Sequence, residues 1–318
     1  MPTRRSFSKL LAIAVLVSTG PTGCRSRSAS EAPAIRLGYL PLTDHLTVLA
    51  SGRTTFQRAR VEPVKFSTWP ELAEALKAGQ IEAAFALTPI ALTLKQKGVP
   101  LKLVLLGSVL TAAPDVASVA DLRGKAIAIP SRFSTHNLLL HRLLAKEGLD
   151  ADRDVQIVEM PPPEMVQALA TKRIAAFIVA EPFGAQAELK GVGKVLALSK
   201  DVWPDHICCA LVVREDVAAR HPEAVQELVN ALVSAGGFIE SHPQEAAEAS
   251  RPYLGQDPSV IRHALTSPPG RVTYADLQPR TADLEATQAD MLRYGVSTAR
   301  VDVASFLDDR FARQAYGR

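Results

Sequence analysis

Short apolar runs and helical patterns alternate along this chain from Ile35 to Val213, and that alternation narrows the available folds more than any other feature. The spacing predicts strands over Ile35–Leu40, Val61–Ser67, Ala83–Leu87, Leu101–Ser108, Ala126–Ile129, Val155–Met160, Ala176–Ala180, Lys194–Leu198 and Ile207–Val213. Between them it predicts helices over Asp44–Ser51, Pro70–Ala78, Pro89–Lys97, Ser134–Glu147, Pro163–Lys172 and Phe183–Leu189. Strand–helix–strand order builds mostly parallel sheets with helices on both faces, so the fold class is α/β. From His221 onward the pattern turns helical, over Pro222–Ser241, Gln244–Tyr253, Pro258–Leu265 and Ala282–Tyr294.

A weak internal repeat divides this plan in two. Glu71 to Pro89 (ELAEALKAGQIEAAFALTP) aligns with Glu164 to Pro182 (EMVQALATKRIAAFIVAEP). Each is a helix, a tight turn, a strand, one polar residue and a proline, and proline is favourable at the first helical position. Thr88 and Glu181 therefore hold equivalent places, where a strand ends and a helix begins. The spacing is too large for a solenoid and suits two similar α/β lobes, although any two α/β units share some likeness.

In open α/β sheets, ligands bind beyond the carboxyl ends of the strands, where helix N-termini offer free N–H groups. The polar residues at the strand exits form one set: Thr43, Asp44 and His45; Ser67, Thr68 and Trp69; Thr88; Ser131, Arg132, Ser134, Thr135 and His136; Glu181. Two lobes facing each other with such rims enclose a cleft. Each residue also has a plain structural reading. Thr43 and Asp44 can cap a helix, and one residue can do both. Trp69 can line a pocket or anchor lobe packing. His136 can hydrogen-bond an anion beside a helix terminus, or sit on a surface behind a capping Ser134. Glu181 repels an anion and better suits an amine, a hydroxyl, a metal or an interlobe bond.

The first residues concern where the protein works. Thr3-Arg4-Arg5-Ser6-Phe7-Ser8-Lys9 precedes an apolar run, Leu10–Val17, that is far shorter than the roughly 20 residues that span a bilayer. A basic head, a short apolar run and small residues make a secretory signal. The paired arginines resemble a twin-arginine signal, and Cys24 after Thr22-Gly23 resembles a bacterial lipobox, from which Pro21 departs. The expectation is a signal over residues 1–24, lipidated at Cys24 or simply cleaved nearby, and a flexible tether over 25–33. The remaining stretch of about 285 residues can form two modest domains or one large one. The whole chain carries +3, and losing Arg4, Arg5 and Lys9 with the signal leaves the mature part near neutral. A nucleic-acid protein would normally carry a basic stripe.

Apart from Cys24, the cysteines are the adjacent pair Cys208-Cys209, so this is not a disulfide-stapled fold. Alternation along a strand would send Cys208 and Cys209 to opposite faces. They read either as two small core hydrophobes or as thiols that meet a soft ligand, a thiophilic metal or organometal, with His206 nearby. There is no GxSxG, HExxH, P-loop or Rossmann glycine fingerprint. No enzyme activity and no cofactor are expected.

Five stretches in order carry a family resemblance: Gly38–His45 (GYLPLTDH), Ala83–Pro89, Pro162–Leu169, Val179–Ala187 and Ser199–His206. Together they resemble ABC-transporter substrate-binding proteins of the nitrate/sulfonate/bicarbonate type. That resemblance implies a type II periplasmic-binding fold: two Rossmann-like lobes of mixed, mostly parallel sheet, joined by hinge strands around a ligand cleft. It implies lobe 1 over residues 34–123 plus 200–318, with a helical C-terminal part, and lobe 2 over 124–199. It places Thr43, Asp44, Trp69, Thr88, Ser134, His136 and Glu181 near the ligand. It further implies a monomer that captures a small oxyanion or organic sulfonate and works with ABC permease subunits. The export signal, with its candidate lipid anchor at Cys24, fits that reading independently and places the protein in the periplasm or on the outer face of the cell membrane. A heterocyclic precursor or a thiophilic metal species stays open as ligand. So does an enzyme on the same fold, of the pyrimidine-precursor-synthase kind, although Cys208-Cys209 is too short for that branch's cysteine-rich motif.

Overall fold

The computed structural model describes residues 32–106, 118–204 and 206–317. The expected signal, Cys24 and most of the expected tether lie outside the described residues. Among the described residues the strands are β1 (Ala34–Tyr39), β2 (Arg60–Lys65), β3 (Ala83–Leu87), β4 (Leu101–Leu106), β5 (Ala126–Ile129), β6 (Gln156–Glu159), β7 (Ala176–Phe177) and β8 (Cys209–Arg214). The α-helices are α1 (Ala50–Arg53), α2 (Trp69–Lys77), α3 (Thr88–Gln96), α4 (Thr135–Lys146), α5 (Pro162–Ala170), α6 (Phe183–Leu189), α7 (Ser199–Val202), α8 (Glu215–Arg220), α9 (Pro222–Ser241), α10 (Pro243–Leu254), α11 (Pro258–Thr266), α12 (Thr281–Arg293), α13 (Val303–Phe306) and α14 (Arg310–Ala315). None of the described helices is long and apolar enough to cross a membrane.

Two sheets form, in strand orders β2-β1-β3-β8-β4 and β6-β5-β7. β3, five buried apolar residues, is central, as its sequence demands. β2 carries Pro63, lies at an edge and alternates partly exposed residues, where a missing N–H costs least. β1 runs parallel to both β2 and β3, and β5 runs parallel to both β6 and β7. β8 runs antiparallel to both β3 and β4. The register Leu87↔Cys209 therefore sets the start of β8 beside the carboxyl end of β3.

The helices cover these sheets through faces spaced three and four residues apart. On α2 the buried residues are Trp69, Leu72, Ala75 and Leu76, and the Thr68 hydroxyl caps its N-terminus by accepting from the Glu71 N–H. α9 buries a continuous stripe from Ala224 to Ile239 and packs on α14, α10 and the turn after β1. α11 packs on α6, and α12 touches both α3 and α4, so the C-terminal helices bridge the elements of the two sheets.

Three expectations are corrected. Lys194–Leu198 forms no strand; it is an irregular connection after Gly193, without a ladder partner. The strand expected over Ala176–Ala180 pairs only at Ala176–Phe177, because its single neighbour β5 ends at Ile129. The helix expected from Asp44 begins as a 3₁₀ segment, Thr43–Leu49, before one turn of α1. There the Leu42 N–H donates to the Leu40 C=O and the His45 N–H to the Leu42 C=O, a tight winding imposed just after Pro41.

Candidate functional site

The carboxyl ends of β1, β3, β5 and β7 lead into Thr43–His45, Thr88, Ser131–His136 and Glu181, and the two sheets bring these exits against each other. The Thr43 N–H donates to the Glu181 C=O at 2.8 Å, and the Thr43 hydroxyl donates to the same oxygen at 3.1 Å. On the other flank the Thr135 hydroxyl, at the start of α4, lies 3.2 Å and 3.1 Å from the Ile207 and Cys208 carbonyls. The Thr88 N–H and hydroxyl reach the Cys208 carbonyl from the larger sheet. The Cys208 carbonyl is thus a shared acceptor for both groups of elements. Thr43, Asp44, His45, Thr88, Ser134, Thr135 and Glu181 have no exposed surface, and Trp69 and His136 have 1% each.

The expected residues divide by what they touch. Ser131 and Ser134 hold their own loop: the Ser134 hydroxyl donates to the Ser131 carbonyl and accepts from the Asn137 N–H, and the Phe133 N–H donates to the Ser131 hydroxyl. Arg132 is exposed and faces Asp152 and Glu159. His45 Nδ1 lies 2.9 Å from the Leu40 N–H and 3.1 Å from the Leu40 C=O. The ring stacks on Phe85 and meets Trp69 edge-on. His45 Nε2, Trp69 Nε1 and His136 Nδ1 are among the buried polar atoms with no hydrogen-bond partner among the described residues, as are Thr47 Oγ1 and Asn137 Oδ1. Such atoms cost about 1–3 kcal/mol each when left unmet.

Glu181 turns away from that set. Its carboxylate accepts from the Ala185 N–H and from Arg271 Nε, at 2.8 Å each, and from Arg271 Nη2. Arg271 also reaches Glu188, which faces His263. Burial pushes the Glu181 carboxyl up to about 7, against the downward pull of Arg271 and the Ala185 N–H. Burial lowers Arg271, but the two carboxylates outweigh it and hold the guanidinium above its ordinary value. Gly184 makes room for this pair: a Cβ there would lie 2.6 Å from Glu181 Oε1 and 2.9 Å from Arg271 Nη2. Arg271 and Tyr274, whose hydroxyl donates to the Thr43 carbonyl at 2.6 Å, are absent from the sequence-based site. Arg271 follows Pro268-Pro269-Gly270, and a lone arginine in a polar turn gives no sign of burial.

The cysteine pair differs from its strand-based expectation. Cys208 lies just before β8, so alternation does not govern it. The Cys208 and Cys209 sulfurs and an Asp44 carboxylate oxygen all lie within 4.8 Å of one another, fully buried. His136 Nε2 stands 3.6 Å from Cys208 Sγ. The His206 ring instead turns its Nδ1 to the Trp203 carbonyl. The hydrogen bond to Cys209, then burial and the Asp44 charge, push the Cys208 thiol well above its ordinary value. Burial first pushes Cys209 up to about 12. Burial lowers His45 and His136 to about 3, so both imidazoles are neutral.

With the geometry in view, three comparisons bear on it. A model of the NMT1-like family matches residues 28–252. The nitrate/nitrite-binding protein NrtA of Synechococcus elongatus is 27% identical over 68% of this chain and 57% of its own length. The chain spans only part of the curated relatives it first matches, between 23% and 57% of their length. Among solved structures, a ligand-binding component of an ABC-type import system from Staphylococcus aureus, with zinc bound, superposes with a TM-score of 0.80 at 27% identity, covering 89% of this chain and 99% of that one. The alkanesulfonate-binding protein SsuA from Xanthomonas axonopodis pv. citri, bound to MOPS, gives 0.73 at 25% identity, covering 88% and 100%.

Proposed function

The chain belongs to the NMT1-like family, and from that premise and the closed rim of strand exits we propose that it is the solute-binding component of an ABC import system. The two groups of elements, residues 34–123 with 200–318 and residues 124–199, act as lobes that close on a small solute. A permease recognises the closed form, and ligand shifts the open–closed population. The observation that carries this reading is the double donation from Thr43 to the Glu181 carbonyl across the rim, with His45 Nε2, Trp69 Nε1 and His136 Nδ1 buried and unmet beside it. No covalent chemistry is required, and the relatives named above are binding proteins or binding components. The basic and apolar start of the chain supports export to the periplasm, with Cys24 as a lipid anchor.

The relatives' names make nitrate and alkanesulfonates the first solutes to try, with bicarbonate, sulfate and taurine beside them. The test is a thermal-shift screen joined to small-angle scattering on the reduced protein. A bound solute at 100 times its Kd adds about 2.7 kcal/mol to the native state. It should also lower the radius of gyration, and Thr88→Ala should reduce both effects. A chain whose dimensions and melting temperature ignore every solute, including the cations considered below, is not a solute-binding protein.

A further inference from the structure

Asp44 is a poor residue to bury where an anion is to be held. A carboxylate with no exposed surface, two thiols and a neutral imidazole present oxygen, sulfur and nitrogen lone pairs, and no positive charge, to whatever lies between them. That donor set suits a thiophilic cation. Thiolates select soft and borderline ions, imidazole suits the same metals, and hard cations such as Mg²⁺ and Ca²⁺ call for oxygen throughout. Zinc takes sulfur at about 2.3 Å and nitrogen at about 2.0 Å, so two sulfurs on one tetrahedral ion stand roughly 3.8 Å apart. The Asp44, Cys208 and Cys209 donor atoms, within 4.8 Å of one another, need only small shifts to reach that spacing. The 3.6 Å from His136 Nε2 to Cys208 Sγ is already a tetrahedral edge.

The four donors come from three separate parts of the chain. Asp44 lies after β1, Cys208 stands just before β8 and Cys209 opens it, and His136 lies in the first turn of α4 among the elements of the smaller sheet. We propose that Asp44, Cys208, Cys209 and His136 form a binding site for a thiophilic divalent cation of the Zn²⁺/Cd²⁺ type, and that this cation is the solute on which the lobes close. The inference rests on the cleft reading above. His136 supplies a donor from the second lobe, so the site is complete only when the lobes are shut. Each thiol that ligates gives its proton to solvent. Burial keeps the ion from exchanging until the lobes open.

The probe is Cd²⁺, added to the reduced, chelator-treated full chain carrying Cys24→Ser, so that only the pair can supply thiolate. The expected result is a thiolate-to-cadmium charge-transfer band that saturates at one ion per chain and is competed by Zn²⁺. The band should fall by half or more in Cys208→Ser and in Cys209→Ser. His136→Gln should weaken the apparent affinity about 10-fold or more and abolish the Cd²⁺-induced fall in radius of gyration. Asp44→Asn leaves both cysteines in place and tests the site by loss of affinity even if the serine variants do not fold. Absence of the band overturns the proposal. If the band is absent while nitrate or an alkanesulfonate still compacts the protein, the cation is wrong and the cleft stands. If the band forms without compaction, the metal site stands and the claim that the cation is the solute falls.

Discussion

Replacing Arg271 by methionine isolates the pair that holds the rim in place. Arg271 is 2% exposed and Glu181 has no exposed surface, so solvent cannot compensate the carboxylate once its partner is gone. Methionine keeps the length of the stem and removes the guanidinium that meets Glu181 Oε1. Breaking a buried pair from one side typically costs about 3–5 kcal/mol. For a chain of this size that corresponds to a melting temperature lower by roughly 6–15 °C. The loss should depend on pH in a defined direction. Wild-type Glu181 titrates near 7 when folded, against an ordinary value of 4.5, so its contribution to stability falls as pH rises from about 4.5 to 7. In Arg271→Met the folded value rises further. The variant therefore goes on losing about 1.4 kcal/mol per pH unit above 7, where the wild-type residue has already ionised. The double variant Glu181→Gln/Arg271→Met removes the uncompensated charge and should recover most of the loss. Urea unfolding at several pH values, run as a double-mutant cycle, measures all three. A single variant that loses under 1 kcal/mol, or a double variant as unstable as the sum of the singles, would refute the account of Glu181 as a carboxylate held by Arg271.

Three further predictions concern the rim and its supports. His136 is neutral and buried, folded near 3 against an ordinary 6.5, so its contribution to stability is present above 6.5 and lost as pH falls. Acidifying from pH 7.5 to 5.5 should cost the wild type about 1.4 kcal/mol more than His136→Gln, read from unfolding midpoints at the two pH values. Gly184→Ala drives a methyl into the Glu181–Arg271 contact and should destabilise by about 1–3 kcal/mol, with Gly237→Ala, which meets nothing within 4 Å, as the control in the same melts. Thr43→Val removes the hydroxyl bond to the Glu181 carbonyl and leaves the backbone bond. Ligand affinity, measured by calorimetry with whichever solute binds, should fall by roughly 1 kcal/mol.

Much of the architecture is readable from periodicity. β3 is an unbroken apolar run and α9 a long pattern whose apolar residues recur at three and four, and each lies where that pattern sets it. The run Lys194–Leu198 has the same short apolar look and is no strand, because strandedness depends on a partner edge that local sequence does not supply. The 3₁₀ winding at Thr43–Leu49 was likewise invisible: the helical pattern was legible, but the tightness follows from backbone bonds to Leu40 and Leu42 just after Pro41.

The strand exits tell a similar story. Thr43, Asp44, Trp69, Thr88, Thr135, His136 and Glu181 can be chosen from the chain because each stands at a handover from strand to helix, where unsatisfied backbone groups gather. Which way each side chain faces could not be chosen. Glu181 turns to Arg271, a residue 90 positions away, because a buried carboxylate seeks the nearest buried cation rather than the cleft. Cys208 and Cys209 turn their sulfurs together and toward Asp44, because β8 is antiparallel and enters the rim at its first residue, before pleat alternation begins. Sequence alone settles the periods, breaks and composition of the elements, since these are local properties of the chain. Tertiary structure settles which polar groups share a buried space, since that depends on sheet order and strand direction between residues distant in sequence.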